Sequence, residues 1–168
     1  MIKPPAPTDE KTPDPIAAKP MEQPDSVLFV CNFNIIRSPM AEALTKHYCG
    51  HRIFVDSVGI RADDSGPNPF AIVVMEEIGL DISRHQAKLF NELMDTSYDL
   101  VVSLSPEAHH KALELTRTMS CDVEYWPTLD PTLVSGNRET ILEAFRATRD
   151  HLSEKIRKRF DVGYSPAI

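Results

Sequence analysis

Three residues at one fixed spacing carry the chemistry this chain can do. Cys31, Arg37 and Ser38 form a Cys-x5-Arg-Ser pattern, with Asn32, Phe33, Asn34, Ile35 and Ile36 between the cysteine and the arginine. A loop of this kind between a strand and a helix can point successive backbone N–H groups into one concavity and so hold an anion. The N-terminus of the following helix adds unpaired donors and a partial positive charge. Arg37, at the end of the loop, can close over a tetrahedral oxyanion with a two-pronged contact. Cys31 lies at the bottom, in the field of all these donors, which favour its thiolate. A thiolate under a bound phosphate is placed for in-line attack on phosphorus. By composition alone, a cysteine followed at this spacing by arginine and then Ser or Thr would arise by chance about one time in fifty. The bland alternative, a buried structural thiol in a strand, leaves Arg37 and Ser38 without a purpose.

The chemistry needs a strand that ends at Cys31 and a helix that begins just after Arg37. Residues 26–31, SVLFVC, are a short continuous apolar run, as expected of a parallel strand covered on both faces. Ser38-Pro39 reads as an N-cap and first-turn pair, followed by a stripe of Met40, Leu44, His47 and Tyr48. A second strand is expected over 53–58, a third over 99–104 and a fourth over 121–126. Asn68-Pro69 opens a helix with Phe70, Val73, Val74 and Ile78 on one side, stopped by Gly79. Ser83 and Gln86 suggest a capping box for a short helix running to about Leu93. Ser105-Pro106 caps another helix, and the last, after a polar loop over 127–138, carries Ile141, Leu142, Phe145, Leu152 and Ile156. Strands alternating with helices predict an α/β fold, a parallel sheet with helices on both faces. In such sheets ligands bind beyond the carboxyl ends of the strands, where Cys31 stands.

The rest of the composition narrows the class. With 168 residues the chain is long enough for one ordinary core. Eighteen Lys and Arg against 25 Asp and Glu give a net charge of −7, which argues against nucleic acid or a membrane surface as partner. An anion must therefore be captured locally. Cys31, Cys49 and Cys121 match neither a disulfide framework nor a metal motif, so a reducing, cytoplasmic setting is expected. No metal or other cofactor is expected. His47, His51, His109, His110 and His151 form no ligand pattern, and no apolar run is long enough to span a bilayer. Residues 1–25 hold seven of the 14 prolines and no aromatic, and read as a disordered tail. The domain is expected over 26–160, with a short C-terminal tail over 161–168.

The stretch from Val27 through Glu42, VLFVCNFNIIRSPMAE, resembles the phosphate loop of the low-molecular-weight protein tyrosine phosphatases and the related thioredoxin-linked arsenate reductases. A second motif agrees: Asp130-Pro131 after the fourth strand, followed by a final helix. The resemblance covers about residues 26–160 and implies a four-stranded parallel sheet of order 2-1-3-4. It implies that Cys31 is the nucleophile, that Arg37 binds phosphate and that Asp130 is the general acid. It also implies that Ser38 stabilises the thiolate and that Asn34 takes a left-handed conformation held by a network with Ser57 and His85. Taken singly, Ser57 would be a turn serine, His85 a partly buried helix residue and Asp130 a turn aspartate before proline.

The departures from that pattern bear on substrate. Phe33 stands where glycine is common, and Ile36 where many relatives carry a second, protective cysteine. Residues 60–66 bring no aromatic wall, and Thr132 and Leu133 stand where tyrosines often line the slot. Phe33, Tyr125 or Trp126 could supply the missing stacking surface, or Tyr125 and Trp126 could pack in the core. The expected activity is a phosphomonoesterase acting through a cysteinyl-phosphate on a phosphotyrosine-like ester, either a phosphorylated protein or a small ester. One alternative is an arsenate reductase using an external thiol. Another is a phosphate-binding module without catalysis, for which Cys31 and Asp130 would have no use.

Overall fold

The computed structural model describes residues 23–93, 97–117 and 119–162. Residues 1–22 of the expected leader and 163–168 of the expected C-terminal tail lie outside that range. The strands are β1 (Ser26–Cys31), β2 (Phe54–Gly59), β3 (Leu100–Ser103) and β4 (Asp122–Tyr125). The helices are α1 (Arg37–Cys49), α2 (Pro69–Glu76), α3 (Pro106–Leu115) and α4 (Arg138–Arg159). The four strands are parallel, in the order β2-β1-β3-β4. This is the α/β architecture that the alternation of elements called for.

β1 is central, and its two faces seed two cores. Val27, Phe29 and Cys31 point to one side, where Met40 and Leu44 of α1, Val74 of α2, and Phe145, Leu152 and Ile156 of α4 are buried with them. Leu28 and Val30 point to the other, against Ala108 and Ala112 of α3 and the segment holding Phe90 and Tyr98. The two-residue period of a strand thus places the Cys31 side chain on the α1 face. Trp126 is in the first core, edge-on to Phe29 with ring centroids 5.8 Å apart.

Three local expectations are corrected. Ser38 is not an N-cap. α1 begins one residue earlier at Arg37, Ile36 occupies the cap position without a side-chain bond, and the Ser38 hydroxyl is turned to the Cys31 thiol. The helix expected from the Ser83–Gln86 pair does not form. Asp81 instead accepts from the Ser83 N–H, and the backbone at Lys88 and Leu89 bonds to the end of β2 and the phosphate loop, leaving only a 3-10 turn at Phe90–Leu93. α2 stops at Glu76, before Ile78, which is exposed; Gly79 adopts φ +81 in the turn that reverses the chain. Asn68 and Ser105 cap their helices as expected, accepting from the N–H groups of Phe70 and Ala108.

Candidate active site

Residues 32–36 join the carboxyl end of β1 to α1, and their backbone is held from outside. The Asn32 carbonyl accepts from the N–H groups of Ile60, 3.0 Å, and Arg61, 2.9 Å, and the Ile35 carbonyl from that of Asn68, 3.0 Å. The Asn32 side chain accepts from the Ser105 hydroxyl at 2.6 Å, which ties the loop to the start of α3. Gly59 makes this packing possible: a Cβ there would lie 2.7 Å from the Phe33 carbonyl carbon and 2.9 Å from the Asn34 nitrogen. Ile35 and Ile36 send their side chains into the core, while Phe33 remains 38% exposed at the rim. The Asn32 and Ile35 carbonyls are thus taken up by the segments that follow β2 and precede α2. At the inner end α1 presents its first N–H groups without a side-chain cap, an arrangement suited to an anion.

Asn34 organises the centre. It is fully buried and has φ +59, a left-handed conformation that asparagine tolerates better than most residues. Its Nδ2 donates to the hydroxyls of Ser38, 2.8 Å, and Ser57, 2.9 Å. Its Oδ1 accepts from the Lys88 N–H and from His85 Nε2, both at 3.0 Å. With the amide fully used, the direction of the Ser57 bond follows from the donor inventory. Ser57, having accepted from Asn34, donates to Glu42 Oε1 at 2.9 Å. The Ser38 hydroxyl, which accepts from Asn34, also lies 2.8 Å from Cys31 Sγ and 3.4 Å from the Val58 carbonyl, so it shares a hydrogen bond with the sulfur. The Asn34 N–H also reaches Cys31 Sγ, at 3.3 Å. The buried sulfur is thus hydrogen-bonded to the Ser38 hydroxyl and to the Asn34 N–H.

His85 contacts Asn34 at Oδ1 and at the main-chain carbonyl, 3.1 Å away. Both are acceptors, so Nε2 carries the proton. Burial pushes the His85 pKa below the ordinary imidazole value, against a smaller opposing pull from Glu42. The ring is therefore a neutral Nε2–H donor at neutral pH.

Arg37 is buried at the mouth of the loop, and its Nη1 donates to the Thr128 carbonyl at 2.9 Å. A ladder of main-chain bonds fixes that carbonyl: Thr128 N–H to Leu104, and Leu104 N–H to Val30. The loop after β4 is thereby tied through β3 to β1 and directly to Arg37. Asp130, two residues beyond Thr128, accepts from the Thr132 N–H at 2.9 Å and its hydroxyl at 2.7 Å, both on Oδ1. Among the described residues Oδ2 takes no protein hydrogen bond.

Cys31, Asn34, Ser38, Ser57 and His85 are thus joined by direct bonds, and Arg37 reaches the Asp130 loop through Thr128. The sequence reading missed Glu42, Gly59, Lys88, Ser105 and Thr128. A glycine closing a strand is a readable sign of close backbone approach. Lys88 and Thr128 act through main-chain atoms, which side-chain type does not reveal. Tyr125 stacks on His109, ring centroids 4.7 Å apart, and Trp126 is in the core, so neither ring is spare.

A family model described as low molecular weight phosphotyrosine protein phosphatase matches residues 26–161. An arsenate reductase of Shouchella clausii is 34% identical over 137 residues, 82% of this chain and 96% of that protein. A solved arsenate reductase in its phosphate-binding state is similar at TM-score 0.68 and 31% identity, covering 83% of this chain and 99% of that one. A cysteine-to-serine mutant of the YwlE arginine phosphatase, solved with its active-site serine phosphorylated, is similar at TM-score 0.67 and 26% identity, covering 81% of this chain and 93% of that one.

Proposed function

The chain belongs to the low molecular weight phosphotyrosine protein phosphatase family, and we propose that within it this protein is a phosphomonoesterase acting through a cysteinyl-phosphate. One observation carries the reading: the Cys31 sulfur is hydrogen-bonded to the Ser38 hydroxyl and accepts from the Asn34 N–H at the foot of an uncapped helix N-terminus. A structural thiol has no need of either bond.

The substrate phosphate enters as a dianion and is held by the loop N–H groups and Arg37. Binding of the phosphate exchanges one contact of Arg37 with Thr128 for a two-pronged grip on oxygen. The Cys31 thiolate attacks phosphorus, and the bond to the leaving oxygen breaks as Asp130 delivers its proton. Asp130, now ionised, takes a proton from water, which attacks phosphorus and releases phosphate and the thiolate. The charge stabilisation that a phosphoryl transition state needs comes from the cradle. The ester is phosphotyrosine-like. Phe33, exposed at the rim, is the ring available to face an aromatic ester.

The arsenate reductases among the relatives favour a second reading, reduction of arsenate at the same cradle. Cys49 ends α1 and Cys121 precedes β4, both at the end of the sheet away from Cys31. Either thiol is badly placed to resolve a Cys31–arsenic adduct, so reduction would need an external thiol. Purified protein should hydrolyse p-nitrophenyl phosphate without added thiol oxidation, and Cys31→Ser should lose that turnover while still binding phosphate or vanadate. Arsenite formation from arsenate with an added thiol, in the absence of any phosphatase turnover, would favour the reductase instead.

A further inference from the structure

The two donors that fill Asn34 Oδ1 come from one segment that has little of its own to hold it. His85 Nε2–H and the Lys88 N–H both lie between Ile82 and Phe90, and every side chain between those two is at least partly exposed. The segment runs beside β2, an outer strand of the sheet, and makes a single bridge to it, Gly59 to Leu89. One bridge fixes a point but not an alignment, and a pairing that short can slip. The Lys88 side chain supplies a second point. Its ammonium reaches back to Asp56, nearer the start of β2, and pairs with Asp56 Oδ1. The pair is half-buried, the two side chains being 37% and 18% exposed, so it is not an ordinary surface contact. The Ser57 N–H donates to the same oxygen at 2.8 Å and holds the carboxylate against the strand. The buried Tyr98 ring stands beside that carboxylate. Burial and then Asp56 push the Tyr98 pKa up to about 12, so the phenol adds no charge.

We propose that the Lys88 side chain, through its pair with Asp56, is a positioning residue of the active site: it aligns residues 83–89 on β2 and so holds in place both donors that orient the Asn34 amide. The effect on turnover rests on the phosphatase reading; the effect on the network does not. Asn34 is buried and left-handed, so its amide cannot turn to water when a donor moves away. The Asn34 N–H reaches the Cys31 sulfur and its Nδ2 the Ser38 hydroxyl, which makes this residue the link between the segment and the nucleophile. Lys88 is also a cation among carboxylates. Glu42 of α1 and Asp56 of β2 both act on the His85 ring, and Lys46 pairs with the outer oxygen of Glu42. Burial is the largest influence on the ring and keeps it neutral; the two carboxylates pull it toward the imidazolium, and Lys88 opposes them. The ammonium thus supports His85 as a neutral donor as well as fixing where it stands.

The test uses variants of the full chain. Lys88→Met keeps the main-chain N–H and the length of the stem and removes the charge. Asp56→Asn keeps an oxygen for the Ser57 N–H and removes the partner. Each should lower kcat/KM on p-nitrophenyl phosphate by about tenfold, the lower end of what one hydrogen bond to a charged group is worth. Lys88→Arg can still pair with Asp56 and should restore most of that loss. Lys88→Met combined with Asp56→Asn should be no worse than either alone, because the two groups act as one. A second readout needs no substrate. In nitrogen-15-labelled protein, His85 Nε2–H in its bond to Asn34 should give a sharp downfield proton signal at neutral pH, assigned by its absence in His85→Gln. The signal should fade in Lys88→Met and Asp56→Asn and return in Lys88→Arg. The two single variants change the local charge in opposite senses, so opposite changes in turnover would mark a through-space charge effect and overturn the proposal. Wild-type turnover with a wild-type His85 signal in Lys88→Met overturns it too, as does a wild type that lacks the signal. If Lys88→Met unfolds at the assay temperature, Asp56→Asn alone decides. Absence of Cys31-dependent turnover in the wild type would instead sink the phosphatase reading, and the His85 signal would still decide the role of Lys88.

Discussion

At the scale of residues Arg37, Asp130 and His85 have separable tasks. Arg37→Lys should bind phosphate poorly, because one ammonium cannot reproduce the planar two-pronged contact and would also release the Thr128 carbonyl. Asp130 as general acid matters most when the leaving group is poor. Asp130→Ala should slow phenyl phosphate hydrolysis by about 10²–10⁴-fold and p-nitrophenyl phosphate far less, and should flatten the alkaline limb of the pH–rate profile. A uniform small loss with lower thermal stability would mark Asp130 as only the cap of its own turn, the role its bonds to Thr132 already give it. His85 supplies an acid dependence. Its folded pKa lies below the unfolded value because burial disfavours the imidazolium. The unfolded chain therefore gains a proton first as pH falls, and the stability present above the ordinary value of about 6.5 is lost as pH drops below it. His85→Gln keeps a donor for Asn34 without a titrating ring. It should retain most activity, and melting curves from pH 7 to pH 5 should show a smaller loss of Tm than the wild type.

At the scale of elements the cradle is a product of how β1, β2 and β3 end and how α1 begins, and this is where the sequence was only partly legible. Cys-x5-Arg-Ser, the apolar run before it and the capped starts at Asn68 and Ser105 were readable because side-chain type determines them. The Ser38 cap was misread because a buried thiol competes for the same hydroxyl. The segment after Ser83 was misread because its main chain serves the loop, with Gly59 N–H donating to the Lys88 carbonyl and Lys88 N–H to Asn34. Such bonds leave no compositional trace. Gly59 gives the sharpest test at this scale. A Cβ there meets backbone atoms of Phe33 and Asn34, which cannot rotate away as a side chain would. Gly59→Ala should therefore displace the loop and reduce turnover and vanadate affinity together. Far-ultraviolet circular dichroism should stay native, and a fully active Gly59→Ala would show that the loop does not depend on this contact.

At the scale of the whole molecule, a chain with net charge −7 binds a dianion only because one end of one sheet concentrates its donors. Three strand ends and three helix starts converge there, while Cys49 and Cys121 lie toward the opposite end. Burial pushes the pKa of both of those thiols up, which makes them poor nucleophiles at neutral pH. Cys49→Ala with Cys121→Ala should leave phosphatase activity largely intact. The central claim is that phosphorus passes through the Cys31 sulfur, and trapping tests it most directly. Asp130→Ala, which cannot activate water, should be mixed with p-nitrophenyl phosphate, quenched in acid during turnover and mapped by mass spectrometry. The account predicts one phosphoryl group on the peptide containing Cys31 and none on that peptide in Cys31→Ala. An unmodified Cys31 peptide during turnover, together with a Cys31→Ala variant as active as its parent, would contradict it.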